Sequence, residues 1–221
     1  MDGLLLIDKP QGITSHDVVD IARRKFNMRR IGHAGSLDPL ATGLLIILVG
    51  KATSHFNRYM HFDKEYNATL RLGAATDSGD SQGKVTASNV SYAHISEPRV
   101  LEVFKGLEGK IENVPPMISA LKHKGRPLYE LARQGITIER KPRLVEIYRL
   151  TLSKYSPPDV EFEVKCSKGT YIRSLAEEIA RRLDCIGHIS QIRRISIGPY
   201  KVSEAKKIDN FDADDIRPCQ S

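Results

Sequence analysis

Apolar and polar positions along the chain predict strands interspersed with helices. Apolar runs or period-two alternation predict strands at 3–7, 44–49, 66–72, 144–152 and 160–166. Helical spacing predicts a first helix capped by Ser15 and ending at Phe26, and further helices at 53–60, 100–107, 128–134 and 170–183. We therefore expect an α+β fold with a central mixed, mainly antiparallel sheet flanked by helices and loops. Since no repeat or linker interrupts the pattern, we expect one continuous domain over residues 1–221.

The composition is typical of a globular protein, with 40% hydrophobic and 28% charged residues. The longest apolar run, Leu44 to Val49, has six residues, whereas a membrane helix needs roughly 20. The start of the chain, Met1-Asp2-Gly3, lacks the basic segment of a secretory signal. We therefore expect a cytoplasmic protein without a membrane partner.

No familiar cofactor or metal motif stands out. Gly50-Lys51-Ala52 lacks the earlier glycine and the Ser or Thr of a phosphate-binding P-loop. The three cysteines include no Cys-x-x-Cys pair, and the seven histidines are scattered along the chain. We therefore expect neither a metal site nor a disulfide framework.

Positive charge is concentrated in one segment. The formal net charge is +7, and residues 122–143 contain seven Lys or Arg against Glu130 and Glu139. Such a basic segment suits a polyphosphate partner. The alternative is a solvated surface with surplus lysine, and charge alone does not choose between the two.

A glycine-rich loop before the strand at 44–49 contains Asp38, which is followed by Pro39. A residue before proline is held in extended or turn geometry. Between Gly35 and Gly43, the Asp38 carboxylate would have a rigid support, which makes it a candidate catalytic group. The alternative is that Asp38-Pro39 is simply a turn.

Arg173 lies in the first turn of the helix predicted at 170–183, where a cation opposes the helix dipole by a few tenths to ~1 kcal/mol. A residue that breaks a local rule often has a specific partner. RNA phosphate or a carboxylate such as Asp38 would fit, and a guanidinium beside Asp38 would keep that carboxylate ionised. The alternative is an arginine that reaches solvent.

Tyr66 also has two interpretations. Its place in the alternation puts it on the apolar face of a strand, as expected of a core tyrosine. At the end of a strand that lines a cleft, the same ring could stack on an unpaired base, worth ~1–3 kcal/mol.

Residues 32–43, Gly-His-Ala-Gly-Ser-Leu-Asp-Pro-Leu-Ala-Thr-Gly, resemble the catalytic signature of the bacterial tRNA pseudouridine synthase B (TruB) family. Other motifs of that family are matched in the right order: Asp8-Lys9-Pro10-Gln11-Gly12, Lys64-Glu65-Tyr66, Thr76-Asp77-Ser78-Gly79-Asp80, Ser119-Ala120-Leu121-Lys122, Cys166-Ser167-Lys168-Gly169-Thr170-Tyr171-Ile172-Arg173 and Ile192-Arg193-Arg194. The resemblance extends from about Gly3 to Val202, nearly the whole chain.

The resemblance implies a pseudouridine-synthase fold and cofactor-free isomerisation of the uridine at position 55 in the T arm of tRNA. Asp38 takes the position of the catalytic aspartate, which assists cleavage of the glycosidic bond before the uracil rejoins the sugar through carbon. Tyr66 matches the ring that stacks on the flipped base, and Arg173 matches the arginine that pairs with the aspartate. His33 matches a residue that helps to occupy the space of the extruded nucleotide. Three further residues match positions that line or support the pocket: Lys9, Asp80 and Ile192.

The basic segment falls in an insertion, about 111–143, with which the family clasps RNA. The implied RNA contacts are Lys122, Lys124, Arg126 and Arg133. Where the family often has an aromatic residue, this chain has Ile118, which removes the basis for a stacking or hydroxyl contact there. The chain ends 19 residues after Val202, where the resemblance stops, so we expect no C-terminal RNA-binding PUA domain.

Two alternatives remain open. A guide-RNA-dependent synthase of the archaeal and eukaryotic type differs after the Asp-Pro pair, and Leu40-Ala41-Thr42 favours a stand-alone enzyme that requires no protein partner. A non-catalytic tRNA-binding or tRNA-folding module is disfavoured by the joint presence of Asp38, Tyr66 and Arg173. In both the leading hypothesis and this second alternative, the expected partner is tRNA.

Overall fold

The computed structural model describes residues 1–119, 121–123 and 125–219. The α-helices are α1 (Ser15–Phe26), α2 (Phe56–Met60), α3 (Glu97–Lys105), α4 (Leu128–Arg133) and α5 (Ile172–Arg182). The strands are β1 (Gly3–Lys9), β2 (Ile31–Ala34), β3 (Thr42–Val49), β4 (Lys64–Leu72), β5 (Ala75–Thr76), β6 (Val85–Ala87), β7 (Gly109–Asn113), β8 (Lys122–His123), β9 (Arg126–Pro127), β10 (Arg143–Ser156), β11 (Asp159–Cys166), β12 (Gly187–Ile197), β13 (Tyr200–Lys201) and β14 (Lys206–Lys207). Short 3-10 helices cover Gly50–His55, Val202–Glu204 and Ala213–Asp215.

The chain forms two compact units. Unit 1 comprises Met1–Asn67 and Ile192–Ser221, and unit 2 comprises Ala68–Gln191. The backbone therefore passes from one unit to the other within β4 and again within β12. The single continuous domain expected from the sequence stays a prediction.

Unit 1 is built on a mixed sheet with the strand order β14-β1-β3-β12. Strand β1 runs antiparallel to β3 and parallel to β14, and β3 runs parallel to β12. Strand β2 pairs antiparallel with β3. The predicted mixed sheet is therefore confirmed.

Both faces of the β1–β3 pair are covered, which explains why these strands are apolar at almost every position. On one face Leu4, Leu6, Leu44, Ile46 and Leu48 pack in a cluster with Tyr59 and Tyr200. On the other face Leu5, Ile7, Leu45, Ile47 and Val49 pack with Val18, Val19 and Ala22 of α1. Since burying one such side chain contributes about 1.5–3 kcal/mol, this sheet is a firm support for the loop that enters β3.

Helix α1 is capped by Thr14, so the prediction of Ser15 as the cap is wrong. The Thr14 hydroxyl accepts a hydrogen bond from the Asp17 amide, and the Asp17 carboxylate accepts one from the Thr14 amide. This reciprocal capping box requires an acidic or amide side chain three residues after the cap. Asp17 has that spacing from Thr14 but not from Ser15. The Ser15 hydroxyl is buried and instead exchanges hydrogen bonds with the backbone of Leu37, at 2.8 and 3.2 Å.

Unit 2 contains a sheet with the strand order β4-β11-β10-β7, in which β10 runs antiparallel to both β11 and β7. Helix α5 buries one apolar face, formed by Ile172, Leu175, Ala176, Ile179 and Ala180. The helix predicted at 170–183 is thus confirmed, although it begins at Ile172. Among the described residues, no helix combines the length and apolar character needed to cross a bilayer.

Three features of the strands that affect the candidate site were missed by the sequence analysis. Residues 31–34 form β2, where no strand was predicted. Strand β1 continues through Lys9, two residues beyond the strand predicted at 3–7. Strand β12, with 11 residues, was not predicted at all.

Candidate active site

Asp38 lies on the loop of residues 35–41 that joins β2 to β3, called here the Asp38 loop. The Asp38 carbonyl accepts a hydrogen bond from the Ala41 amide at 3.0 Å, which closes a turn. The next carbonyl, that of Pro39, accepts a hydrogen bond from the Gly12 amide at 2.8 Å. Together with the Ser15 contacts to Leu37, these bonds hold the loop on both sides of Asp38.

Lys9 ends β1 opposite Gly43 and is fully buried. Its Nζ donates hydrogen bonds to the carbonyl oxygens of Pro10 and Ile13 at 2.9 and 2.7 Å. Burial lowers the pKa of Lys9 from 10.5 to about 8, although attraction to Asp38 raises it. At neutral pH Lys9 is therefore still mostly a cation, and it attracts the Asp38 carboxylate.

The lowered pKa of Lys9 predicts a pH-dependent stability. Between pH 8 and 10.5 the unfolded chain holds a proton on Lys9 that the folded protein has lost, so raising the pH stabilises the fold. The difference in pKa corresponds to roughly 3 kcal/mol. We expect the free energy of unfolding, measured in urea, to rise by this amount over that range relative to the Lys9→Met variant. If the free energy of unfolding changed with pH in the same way in the two proteins, the lowered pKa of Lys9 would be wrong.

His33 lies on β2 opposite Ile47. Burial lowers its pKa to about 4, and the positive charges of Arg194 and His16 contribute to the lowering. The imidazole is therefore neutral at pH 7. Within the described part of the chain, its buried Nδ1 has no hydrogen-bond partner.

Tyr66 lies on the buried face of β4 and is 9% exposed. Its hydroxyl interacts electrostatically with the guanidinium of Arg194. Burial lowers the pKa of Arg194, whereas its interactions with Tyr66 and Asp38 raise it. Tyr66 and Asp38 therefore interact with the same buried cation in unit 1.

Arg194 is a site residue that the sequence did not reveal. Its side chain is 1% exposed, and the guanidinium donates hydrogen bonds to the carbonyl oxygens of Leu44, Gly35 and Ser36 at 2.7, 3.0 and 3.3 Å. Two consecutive arginines are ordinarily a sign of an exposed segment. Had a strand been predicted at 187–197, its alternation would have placed Arg193 and Arg194 on opposite faces. One of the two arginines would then have been expected to be buried.

Ile192, the predicted support residue, is half-buried on β12. Its carbonyl oxygen accepts a hydrogen bond from the Thr42 hydroxyl at 3.5 Å. This contact ties β12 to the first residue of β3. A direct role of the Ile192 side chain in the pocket stays a prediction.

In unit 2, Arg173 and Asp80 form a buried ion pair. Each residue is 5% exposed, and the Arg173 Nε lies 3.8 Å from the Asp80 carboxylate. The guanidinium also donates hydrogen bonds to the carbonyl oxygens of Ser78 and Ile118 at 2.6 and 2.8 Å. The structure thus supplies an anionic partner for this cation in the first turn of α5. The pairing of Arg173 with Asp38 stays a prediction.

The predicted RNA contacts fall around a short hairpin formed by β8 and β9 in unit 2. Arg126 is exposed and donates a hydrogen bond to Gln134 at 3.2 Å. Lys122 lies on β8 and Arg133 ends α4. The predicted contact at Lys124 lies outside the described residues.

Across the described ranges, no three His, Cys, Asp or Glu side chains are grouped as a metal site would require. In unit 1 the arrangement instead brings a carboxylate on a fixed turn together with buried cations, a neutral imidazole and a tyrosine. Buried cations of this kind can keep a carboxylate ionised away from bulk water. An ionised carboxylate can act as a nucleophile or as a base.

Residues 23–172 match the family described as "TruB family pseudouridylate synthase (N terminal domain)". The tRNA pseudouridine synthase B of Syntrophotalea carbinolica is 46% identical over 205 residues, which cover 93% of this chain and 67% of that protein. The tRNA pseudouridine synthase B of Bordetella avium is 44% identical over 214 residues, which cover 96% of this chain and 88% of that protein.

Solved structures show the same fold. One described as "Crystal Structure of a Cbf5-Nop10-Gar1 Complex" matches with a TM-score of 0.73 and 29% identity over 94% of this chain. Another, "Structure of H/ACA RNP bound to a substrate RNA containing 2'-deoxyuridine", matches with a TM-score of 0.69 and 27% identity over the same share. The chain spans about half the length of these two proteins, 54% and 51%.

Proposed function

Because the chain belongs to the TruB family of pseudouridylate synthases, we propose that it isomerises uridine 55 in the T arm of tRNA, with Asp38 as the catalytic carboxylate. The observation that carries this proposal is the electrostatic setting of Asp38. Its carboxylate interacts with Lys9 and Arg194, both of which are almost fully buried. The isomerisation requires a carboxylate that is ionised and held in a fixed position.

The reaction keeps every atom of the nucleotide. The bond between N1 of uracil and C1′ of the sugar breaks, the ring turns, and C5 bonds to C1′. C5 then loses its hydrogen and N1 gains one, so no net oxidation or reduction occurs and no cofactor is required. Whether Asp38 first attacks the sugar or the base, or removes a proton, each route begins with an ionised carboxylate.

The target base must leave its stack before the glycosidic bond can be reached, at a cost of a few kcal/mol. In this proposal the ring of Tyr66 stacks on the extruded base and recovers ~1–3 kcal/mol of that cost. His33 takes up space left by the extruded nucleotide, and Lys9, Asp80 and Ile192 line or support the pocket. By the same family resemblance, we expect Arg173 to help keep Asp38 ionised.

The proposal is tested with purified protein and two unmodified tRNA transcripts, one with uridine and one with cytidine at position 55. After incubation, nucleoside mass mapping should find pseudouridine at position 55 of the first transcript and none in the second. A protein that binds both transcripts without forming pseudouridine would support the non-catalytic alternative. Activity that appears only after a guide RNA is added would support the guide-dependent alternative.

The basic segment is proposed to bind the tRNA backbone, and this makes a separate prediction. Replacing Lys122, Lys124 and Arg126 by glutamine removes three positive charges. If each contacts a phosphate, fewer counterions are released on binding, so the slope of log affinity against log salt falls by up to ~0.7 per lost contact. Filter binding between 50 and 200 mM salt, concentrations on the scale where this effect is large, measures the slope.

A matched control replaces three exposed lysines elsewhere in unit 2, Lys105, Lys110 and Lys154. This variant changes the net charge by the same amount but should retain most of the wild-type salt slope. Equal slopes for the two triple variants would show that the basic segment is not the surface that binds tRNA.

A further inference from the structure

Strand β12 passes directly against the end of the Asp38 loop. Arg194 is the backbone partner of Gly43 in the parallel pairing of β12 with β3. A Cβ at Gly43 would collide with the Arg194 carbonyl oxygen and lie 2.8 Å from its amide nitrogen. The backbone at Arg194 is therefore fixed immediately next to the loop, which leaves its side chain little choice of direction.

The side chain of Arg194 joins the two ends of the loop. Gly35 and Ser36 stand where the loop leaves β2, and Leu44 stands just after it enters β3. The guanidinium donates to carbonyl oxygens at both ends. A planar group with five N–H donors can make these bonds at once, whereas a lysine ammonium has three donors around one nitrogen.

The positive charge of Arg194 is balanced by an anion in the Asp38 loop. A guanidinium that is 1% exposed would be costly without an anion nearby. The interaction with Asp38 supplies that anion, and the Tyr66 hydroxyl is a further polar group that interacts with the guanidinium. Since arginine stays protonated throughout the physiological range, this charge is permanent.

We propose that Arg194 is a positioning residue for the isomerisation: its guanidinium fixes the position of the Asp38 carboxylate by hydrogen bonding to both ends of the Asp38 loop, and it interacts with Tyr66. This inference rests on the proposed function. It adds to that function a residue that interacts with both of the groups proposed to contact the substrate, Asp38 and Tyr66. Arg194 acts through Asp38 and Tyr66 and does not itself contact the nucleotide.

The test compares Arg194→Lys and Arg194→Met by single-turnover formation of pseudouridine with enzyme in excess over tRNA. A displacement on the order of 1 Å of a reacting group can cost about 10²-fold in rate. We expect Arg194→Met to be about 100-fold slower than the wild type and Arg194→Lys to recover about tenfold of that loss. The dissociation constant for tRNA should change less than about threefold, since the residue is buried away from the RNA. A purely structural role would instead lower the melting temperature, tRNA affinity and rate together.

Arg193→Met is the matched control, because Arg193 precedes Arg194 on the same strand but pairs with Asp8 at 2.9 Å. It should keep the single-turnover rate within about threefold of the wild type. If Arg194→Met does not fold, Arg194→Lys decides: a tenfold slower rate at an unchanged melting temperature supports the inference. Wild-type turnover in folded Arg194→Lys and Arg194→Met overturns the inference alone, whereas absence of pseudouridine with the wild-type protein overturns the proposed function.

Discussion

Replacing Asp38 by asparagine should reduce pseudouridine formation by at least ~10³-fold while leaving tRNA affinity close to that of the wild type. The amide has nearly the same shape as the carboxylate, but it carries no charge and is a poor nucleophile and base. Lys9 and Arg194 would then face a neutral group. The rate should therefore fall because the chemistry has lost its anion, and not because the RNA no longer binds.

Single-turnover mapping of pseudouridine, together with a binding isotherm for the same tRNA, separates these two effects. Asp20→Asn is the control, since Asp20 is a partly exposed carboxylate on α1 whose neighbours are His16 and Arg23. It should leave the rate unchanged. A product yield from Asp38→Asn close to that of Asp20→Asn would remove Asp38 from the mechanism.

Replacing Gly43 by alanine should destabilise the protein by at least ~3 kcal/mol. Gly43 has a φ of +100°, a conformation that costs an L-residue roughly 1–2 kcal/mol. The added methyl group would also meet the backbone of Arg194, and a backbone in a sheet cannot rotate aside as a side chain can. Either β12 separates from β3 or the loop distorts, so activity should fall with stability.

Urea unfolding of Gly43→Ala and Gly32→Ala measures this effect with a control for the substitution itself. Gly32 lies on β2, and a Cβ added there would meet nothing within 4 Å. We expect Gly32→Ala to stay within about 1 kcal/mol of the wild type, as is usual away from packed or strained positions. If the two variants unfold at the same urea concentration, the close approach of β12 to the loop is wrong.

The parts of the fold that depend on local signals could be predicted from the sequence. Helix α5 shows a clear apolar stripe, and the apolar run at 44–49 reports a strand that is covered on both faces. The turn at Asp38-Pro39 was also predictable, because proline restricts the residue before it to extended or turn geometry. In these cases the residues that carry the signal are neighbours in sequence.

The remaining features depend on contacts between distant segments. Strand β12 alternates poorly because it buries Arg194 and His188 among apolar residues, so its pattern resembles neither a half-buried strand nor a helix. Arg194 is stabilised by carbonyl groups about 150 residues earlier in the chain, and no local rule encodes such a pairing. Ser15 was assigned as a helix cap because its hydroxyl suits that role, whereas its actual partner, Leu37, becomes close only in the folded unit.

The central claim is that this chain forms pseudouridine at one defined position of tRNA. The most direct measurement is nucleoside mass mapping of bulk tRNA taken from cells that lack pseudouridine 55, before and after incubation with the purified protein. We expect new pseudouridine at position 55 across many tRNAs, without added cofactor, metal or guide RNA. Bulk tRNA that is unchanged after incubation with folded, tRNA-binding protein would contradict it.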